Sequence, residues 1–457
     1  MTRRRKIHGI WPSRWTFILA ATGSAVGLGN IWKFPYIAGE NGGGAFVLVY
    51  LLCLALVGVP IMMAEVLLGR RGRQSPVNAM RSLALEAGAS RGWVGVGWLG
   101  MLGGFLVVSY YCVIAGWALD YTFSLGGGQL QGVTVDTANA MFETLMEDQS
   151  ELVKWQTIFI VMTLVVVMGG VGKGLGVAVR VLMPLLFLFV LALVYYGSTR
   201  GDLAAALSFL FGFSAEGFTW GSFLMALGHS FLTLGLGLGA IMAYGAYMPE
   251  KVPLGKTVVI VVCLDTLFSL LVGVAIFSVV IASPSVQLRE GPSLMFISLP
   301  VIFGDMPDGR LFGTVFFMMV VVVAWSSTIS LLEPMVAWLV ESKQYSRIRA
   351  SLLVGAAAWF VGLGTVFSFN DWAEVKTFFG ANFFEFLDFL TTNIMLPLSG
   401  ILIAVFVGWV MRYESLRQEL RNESLAIFEG WVKVLRLASP VGMLIVLVTT
   451  LYFKLSG

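Results

Sequence analysis

Gly23-Ser-Ala-Val-Gly-Leu-Gly-Asn30 is a glycine-rich segment in the middle of the first long hydrophobic stretch, and Ile-Trp-Lys-Phe-Pro35 follows it directly. A continuous membrane helix satisfies its own backbone hydrogen bonds, and each group left unpaired in hydrocarbon costs roughly 2 to 7 kcal/mol. The glycines therefore predict that the helix is interrupted here. Because the freed backbone groups need partners, we expect the break to bind something polar.

The composition around this segment is that of a membrane protein. Hydrophobic residues make up 58% of the 457 residues and charged residues 12%, and the mean hydropathy is +0.87. These values predict an all-α polytopic membrane protein with eleven transmembrane helices in a single domain, residues 1–457. The spans are predicted near residues 13–36, 43–69, 93–123, 155–171, 175–197, 217–248, 254–283, 310–340, 347–368, 377–411 and 433–455.

Lysine and arginine are concentrated before span 1, between spans 2 and 3, between spans 8 and 9, and after span 10. Short cation-rich loops stay in the cytoplasm, so the N-terminus is predicted to be cytoplasmic in a multi-pass protein of the cell inner (plasma) membrane. The net charge of +3 then reflects topology, which predicts the lipid bilayer as a partner and no nucleic acid. The cations are Arg3, Arg4, Arg5, Lys6, Arg70, Arg71, Arg73, Arg81, Arg91, Lys343, Arg347, Arg349, Arg412, Arg417 and Arg421.

A second glycine-rich break, Gly228-His-Ser-Phe-Leu-Thr-Leu-Gly-Leu-Gly-Leu-Gly239, lies five spans after the first. Two broken helices at corresponding positions predict a 5+5 inverted repeat, with helices 1 and 6 unwound at the midplane and the binding site between them. The first repeat would cover residues 1–200 (helices 1–5) and the second 217–412 (helices 6–10), with helix 11 (433–455) outside. Close helix packing through small residues is the alternative explanation of the glycines.

These motifs together resemble the neurotransmitter:sodium symporter family, in particular bacterial sodium-dependent amino acid transporters similar to the leucine transporter. The resemblance extends from Trp11 to about span 10 and implies sodium-coupled uptake of a zwitterionic amino acid by alternating access. It is carried by Ala25-Val-Gly-Leu-Gly-Asn30, Phe34-Pro35, Glu40-Asn-Gly-Gly-Gly-Ala-Phe46, Tyr110-Tyr111, Thr233, Gly239-Ala240, Ser326-Ser327 and Glu333-Pro334.

The resemblance implies two sodium sites. Sodium is a hard cation that prefers several oxygen ligands, which helix breaks and hydroxyl or amide side chains supply. For any single Ser or Thr, a hydroxyl that bonds to the backbone of its own helix is the better explanation, so only the whole set of residues indicates a site. The first site would comprise Ala25, Asn30, Thr233 and Asp265, and the second Gly23, Val26, Val323, Ser326 and Ser327.

Asp265 lies within an apolar span, where a carboxylate costs at least about 2.5 to 3.5 kcal/mol and is functional by default. Family members commonly have Asn here, and animal members bind chloride beside the first sodium. The matching chloride positions are Tyr50, His229, Thr233 and Ser269, with His229 in place of the usual Gln. Because Asp265 already supplies a fixed anion, transport independent of chloride is expected, with a chloride site as the alternative.

The resemblance also indicates the substrate class, because relatives that carry monoamines have an Asp where this chain has Gly27. The substrate is therefore expected to bring its own anionic group, which backbone N–H groups of the first break would bind. A hydrophobic amino acid is favoured; taurine or another β- or γ-amino acid is the alternative. The implied contacts are Ala25, Leu28, Gly29, Val107, Tyr111, Leu232, Thr233, Gly235, Leu238, Ser327 and Leu331.

Charged residues at the two mouths are the expected gates. By resemblance, Lys33 and Asp388 form the external pair, with Lys replacing the family's Arg and losing its bidentate geometry. The internal gate would use Glu341 and Tyr247, but the family's N-terminal Arg position is His8 here, with Arg5 or Arg14 nearby.

Other classes of protein are less consistent with the sequence. The chain has two histidines and three cysteines without catalytic or metal-ligand spacing, so no enzyme is expected. A channel would need a continuous polar lining, whereas the polar residues here cluster at one depth. A membrane-embedded amino-acid receptor remains an alternative, and the oligomeric state is open.

Overall fold

The computed structural model describes residues 9–213, 218–283, 292–377 and 380–456, and this part of the chain is mostly helical. Short π-helical turns, such as Gly29–Lys33 and Phe389–Met395, connect several of the helices. The α-helices are α1 Arg14–Ala25, α2 Phe34–Glu40, α3 Gly44–Cys53, α4 Val59–Gly72, α5 Pro76–Ala87, α6 Val94–Gly126, α7 Val135–Glu147, α8 Gln149–Met168, α9 Gly176–Arg200, α10 Leu203–Phe211, α11 Trp220–Leu232, α12 Ala240–Ala246, α13 Leu254–Ile281, α14 Leu299–Asp305, α15 Gly309–Lys343, α16 Arg347–Phe367, α17 Phe383–Asp388, α18 Leu396–Val405, α19 Tyr413–Glu419, α20 Leu425–Arg436 and α21 Ala438–Ser456.

Among the described residues, nine helical segments are long and apolar enough to cross a membrane. The two predicted spans without such a segment are the first and the sixth, where the helix is broken into α1 with α2 and α11 with α12. The predicted all-α membrane fold is confirmed, whereas the count of eleven spans and the boundaries of the repeats stay predictions. The nine segments are Gly44–Gly72, Arg91–Gly126, Gln149–Met168, Gly170–Arg200, Leu254–Ile281, Gly309–Lys343, Arg347–Phe367, Phe383–Val410 and Leu425–Lys454.

The first break begins where α1 ends at Ala25. Val26 has extended backbone angles (φ −61°, ψ 112°), so the helical ladder stops there. Side chains replace it: the Gly27 N–H donates to Asn30 Oδ1 at 3.0 Å, and the Leu28 N–H donates to the Tyr111 hydroxyl at 3.0 Å. The break is thus a folded feature with its own hydrogen bonds.

The second break occupies the seven residues between α11 and α12. Gly235, Gly237 and Gly239 have φ values of +57°, +81° and +77°, in the left-handed region that side chains disfavour. The Gly237 N–H is satisfied by the carboxylate of Glu65 on α4. The alternating glycines therefore form the turn itself.

Helix packing brings the two breaks together, since α1 packs against α12, α13 and α15. α12 also lies close to α4 through glycines on both helices. A Cβ at Gly69 would lie 1.9 Å from the Met242 carbonyl oxygen, and one at Gly245 would lie 2.7 Å from that of Val66. Small residues allow this approach, and it places Glu65 beside the second break.

Candidate ion and substrate site

A buried polar cluster lies where both breaks meet α13. Asn30 Nδ2 donates to Asp265 Oδ1 at 2.9 Å, and the Thr233 hydroxyl donates to Asp265 Oδ2 at 3.1 Å. Asp265 is fully buried, and no cationic side chain of the described residues pairs with it. Ala25 ends α1, where carbonyls lack intrahelical partners. Because a buried carboxylate without a countercharge is costly, this cluster fits a small cation.

A second group of oxygens lies between α1 and α15. The Ser327 hydroxyl is 2.8 Å from the Val26 carbonyl oxygen and 3.4 Å from that of Gly23. A Cβ at Gly23 would lie 3.3 Å from the Ser326 Cβ, so this serine borders the same space. The Ser326 hydroxyl donates to the Val323 carbonyl at 3.0 Å, within its own helix. The five predicted residues therefore come together around neutral oxygens suited to sodium.

The side chains of two of the four predicted chloride residues have hydrogen-bond partners in the structure, and those of the other two have none among the described residues. The Ser269 hydroxyl accepts from Asn30 Nδ2 at 2.7 Å and donates to the Asp265 carbonyl at 3.0 Å, and Thr233 already donates to the Asp265 carboxylate. The hydroxyl of Tyr50 and both ring nitrogens of His229 are buried without a hydrogen-bond partner among the described residues. Two of the four predicted chloride residues, Thr233 and Ser269, are therefore already hydrogen-bonded to Asp265.

The space beside the first break is bordered by Tyr111 and by glycines. A Cβ at Gly27 would meet only the Tyr111 hydroxyl at 3.5 Å and the Ala25 carbonyl at 3.8 Å, and one at Gly29 would meet nothing within 4 Å. The Leu28 N–H and the Tyr111 hydroxyl lie together at the edge of this space. The Leu28 N–H already donates to the Tyr111 oxygen, so the tyrosine hydroxyl hydrogen is the donor that remains for an anionic group at the start of this helix.

The predicted apolar contacts include Leu238 and Leu331, which both lie against α6. A Cβ at Gly104 would lie 2.8 Å from the Leu238 carbonyl oxygen and 3.5 Å from Leu331 Cδ2, and one at Gly103 would lie 3.2 Å from Leu238 Cδ2. Val107 lies one turn further along the same helix. Gly103 and Gly104 were not predicted, although adjacent glycines in a long helix signal a close contact.

Glu65 is a further residue that the sequence pattern did not predict. It is fully buried on α4, one carboxylate oxygen accepts from the Gly237 N–H, and the other has no partner among the described residues. A carboxylate inside an apolar span was the available signal. Its contact fixes the backbone of the second break.

Lys33 and Asp388, the predicted external pair, do not form an ion pair among the described residues. Asp388 instead accepts from the Tyr110 hydroxyl at 3.3 Å and the Thr392 hydroxyl at 3.2 Å. Lys33 lines a cavity of about 680 Å³ that reaches Leu232. We call this end of the molecule the Asp388 end.

The opposite end, the Glu333 end, contains a buried ion pair that differs from the predicted gate. Arg347 donates through Nη1 to Glu333 Oε1 at 3.0 Å and through Nη2 to Oε2, and the Tyr247 hydroxyl donates to Oε1 at 2.7 Å. Glu341 accepts from the backbone and hydroxyl of Ser75 instead. Tyr247 therefore joins Glu333 rather than Glu341.

None of the predicted basic partners of Glu341 pairs with it among the described residues. Arg14 Nε donates to the Thr257 hydroxyl at 3.0 Å. Arg5 and His8 lie outside the described residues. At the Glu333 end the buried carboxylate is paired with Arg347, which follows α15 after a three-residue turn.

An all-α membrane protein whose two broken helices surround buried oxygen clusters has the architecture of a secondary transporter. The chain belongs to the sodium:neurotransmitter symporter family, whose sequence profile matches residues 8–131 and 139–455. It is a sodium-coupled, multi-pass membrane transporter of a small molecule and not an enzyme.

Similar proteins span nearly the whole chain. YhdH, an uncharacterized sodium-dependent transporter of Bacillus subtilis, is 34% identical over 439 residues, covering 95% of this chain and 96% of its own. A sodium-dependent transporter of Methanocaldococcus jannaschii is 30% identical over 456 residues, covering 94% and 88%. The crystal structure of MhsT in complex with L-phenylalanine superposes with a TM-score of 0.86 at 38% identity, covering 97% of this chain and 99% of that one.

Proposed function

We propose that the protein imports a zwitterionic, hydrophobic amino acid together with sodium. The observation that carries this proposal is the pairing of the Leu28 N–H with the Tyr111 hydroxyl beside a side-chain-free space at Gly27 and Gly29. The Tyr111 hydroxyl would donate to a substrate carboxylate, and the Leu28 N–H would do so once the carboxylate replaces the tyrosine oxygen as its acceptor. A carboxylate next to the Asp265 cluster would share its sodium ion. The similarity to a structure that contains L-phenylalanine supports the same class of substrate.

The substrate's amino group would meet backbone carbonyls of the two breaks, from Ala25, Leu232 and Thr233. Gly27 offers no carboxylate to an amine, which disfavours a monoamine. The side chain of the substrate would lie among apolar groups, where each buried CH₂ contributes about 0.8 kcal/mol. The side-chain pocket would comprise Val107, Leu232, Gly235, Leu238, Ser327 and Leu331.

Two sodium ions would bind on either side of the first break. The first would take the Ala25 carbonyl, Asn30, Thr233 and Asp265, where the carboxylate supplies the charge. The second would take neutral oxygens alone, from the carbonyls of Gly23, Val26 and Val323 and the hydroxyls of Ser326 and Ser327. We expect the first site to lose more affinity when a ligand is removed, since charge-assisted contacts are the stronger ones.

Transport would proceed by alternating access in the cell inner membrane with the N-terminus in the cytoplasm. Trp11 Nε1 donates to the Tyr244 carbonyl at 3.0 Å, so Trp11, near the start of the described residues, lies at the Glu333 end. That end would then be the cytoplasmic gate, closed by Arg347 and Tyr247. Lys33 and Asp388 would approach each other when the Asp388 end closes.

The test is a binding screen of the purified protein against the twenty amino acids, taurine and GABA, with sodium or potassium chloride at equal ionic strength. Leucine, phenylalanine or similar amino acids are expected to bind at least about tenfold more tightly in sodium chloride than in potassium chloride, because the substrate carboxylate and the sodium ion share one site. Preference for taurine would favour the sulfonate alternative. Sodium-driven accumulation in liposomes separates a carrier from a receptor, which would bind without transport.

We expect substrate binding to be independent of chloride. Asp265 already accepts from the hydroxyls of Thr233 and Ser269, which a chloride ion would need, and it supplies the negative charge itself. Replacing chloride with gluconate at constant sodium should change the affinity by less than about twofold, whereas Asp265→Asn is expected to gain stimulation by chloride. A wild-type protein that loses binding in gluconate would contradict this assignment.

A further inference from the structure

The segment between Met411 and Leu437 joins two membrane-crossing helices and has no part in the site described above. It contains α19 and α20 and carries five cationic side chains: Arg412, Arg417, Arg421, Lys433 and Arg436. Two of its four carboxylates are engaged elsewhere, since Glu419 pairs with Arg70 at 2.7 Å and Glu423 accepts from the Gly255 N–H at 3.1 Å. The surface of this segment therefore carries a local excess of positive charge.

Helix length places this segment at the level of the lipid headgroups. The apolar helical segment Leu425–Lys454 has 30 residues, or about 45 Å at 1.5 Å per residue, whereas the hydrocarbon core is about 30 Å thick. α21 alone, with 19 residues, spans that core. α20 must then lie at one edge of it, where Trp409 and Tyr413 are 62% and 42% exposed, as aromatic residues of an interface commonly are.

α19 borders an open cleft of about 540 Å³ lined by Tyr413, Glu414, Arg417, Gln418 and Arg421. Arg417 is held in place: its Nη1 donates to two backbone carbonyls, and its guanidinium lies 5.3 Å from the centre of the Phe428 ring. It has no carboxylate partner among the described residues. A fixed guanidinium beside a second, exposed one is suited to a phosphate group.

Apolar surface continues from this cleft. Leu425 and Ile427 are 55% and 57% exposed at the start of α20, while Phe428 and Trp431 on its other face are buried against the protein. The exposed side chains can contact acyl chains, and the arginines can contact the headgroup of the same molecule.

We propose that this cleft binds the headgroup of an anionic phospholipid, with the phosphate between Arg417 and Arg421 and the acyl chains along Leu425 and Ile427. This inference does not depend on the substrate or the sodium sites. The lipid would hold α19 and α20 in place, and through the ion pair of Arg70 with Glu419 it would also restrain the end of α4.

The test uses the full-length protein and native mass spectrometry with phosphatidylglycerol or phosphatidylcholine of identical acyl chains. R421Q is the test variant and R349Q the matched control, because both arginines are exposed and only Arg421 lines the cleft. We expect phosphatidylglycerol affinity to fall about fivefold when this charge is removed from the cleft, and less than about twofold in the control. R421K should retain part of the affinity, since it keeps the charge but not the planar fork.

Three results would overturn the proposal. Equal losses in R421Q and R349Q would mean that the lipid is attracted to cationic surface in general, and equal affinity for both lipids would mean no headgroup recognition. Displacement of the lipid by millimolar inorganic phosphate would indicate a site for free anions. Unchanged melting temperatures in phosphatidylcholine verify that the variants are folded, and unchanged sodium-dependent substrate binding separates this site from the transport site.

Discussion

Replacement of Asp265 by alanine is expected to abolish sodium-dependent substrate binding. The carboxylate is fully buried and accepts hydrogen bonds from Asn30 and Thr233, at the point where the two helix breaks meet. Its removal would take away the charge proposed to bind the cation and would leave the buried Thr233 hydroxyl without its acceptor. Removing one partner of a buried charged pair costs about 3 to 5 kcal/mol, which corresponds to more than about a 100-fold loss of sodium affinity.

The measurement is a sodium titration of substrate binding by scintillation proximity or calorimetry. Asp265→Asn keeps an oxygen at the site and should retain part of the affinity. Ser278→Ala is the matched control, because Ser278 is also buried on α13 but bonds only to the carbonyl of Val274 in its own helix. If the alanine variant kept the sodium dependence of the wild type, Asp265 would not be a sodium ligand.

Both helix breaks could be predicted because their signals are local. Gly235, Gly237 and Gly239 take left-handed backbone angles, which is the conformation that glycine adopts at the least cost. The buried charge of Asp265 was equally visible, because a carboxylate in an apolar span is costly wherever the helix packs. Local sequence therefore identified where the helices break and that Asp265 is a carboxylate in an apolar span, whereas its place beside the two breaks was implied by the resemblance to the family.

The partners of charged residues at the two ends could not be predicted from the sequence. Glu341 accepts from the backbone N–H of Ser75, which caps α5, and this contact depends on how α5 packs against α15. Arg347 meets Glu333 because Gln344, with φ of +56°, reverses the chain directly after α15. Such contacts are set by a turn and by helix packing, and neither leaves a regular pattern in the sequence.

The sequence did not indicate the role of Glu65, because that role also depends on helix packing. Its importance comes from the Gly237 N–H, which the turn of the second break directs toward α4. The approach of α12 to α4 through Gly69 and Gly245 makes that contact possible. A carboxylate in an apolar span already marks Glu65 as unusual in the sequence, but its role depends on a neighbouring backbone group and is recognisable only after the helices are packed.

Replacement of Arg347 by alanine is expected to open the Glu333 end. Glu333 is fully buried, and Arg347 is its only cationic partner among the described residues. Without the guanidinium, the carboxylate can keep its charge only by reaching water, which favours conformations in which α12 and α15 separate at this end. The cost of about 3 to 5 kcal/mol for an unpaired buried charge would shift the closed-to-open ratio by more than about 100-fold.

Hydrogen exchange measured by mass spectrometry can follow this opening, because exchange reports local unfolding and separation of helices. Faster exchange is expected in the peptide that covers α12 and around Trp11, which donates to the Tyr244 carbonyl. Arg200→Ala is the control: Arg200 pairs with Asp308 at 2.8 Å, but both side chains are largely exposed, and such pairs contribute about 0 to 1 kcal/mol.

The double variant R347A/E333Q distinguishes a gate from a general structural role. A neutral glutamine no longer needs a cation, so the double variant should recover much of the protection that R347A loses, while Tyr247 keeps an oxygen acceptor at the same position. Recovery would show that the uncompensated charge opens this end. Exchange that stays as fast in the double variant as in R347A would contradict the charge argument, since the effect would then come from lost packing of the arginine side chain.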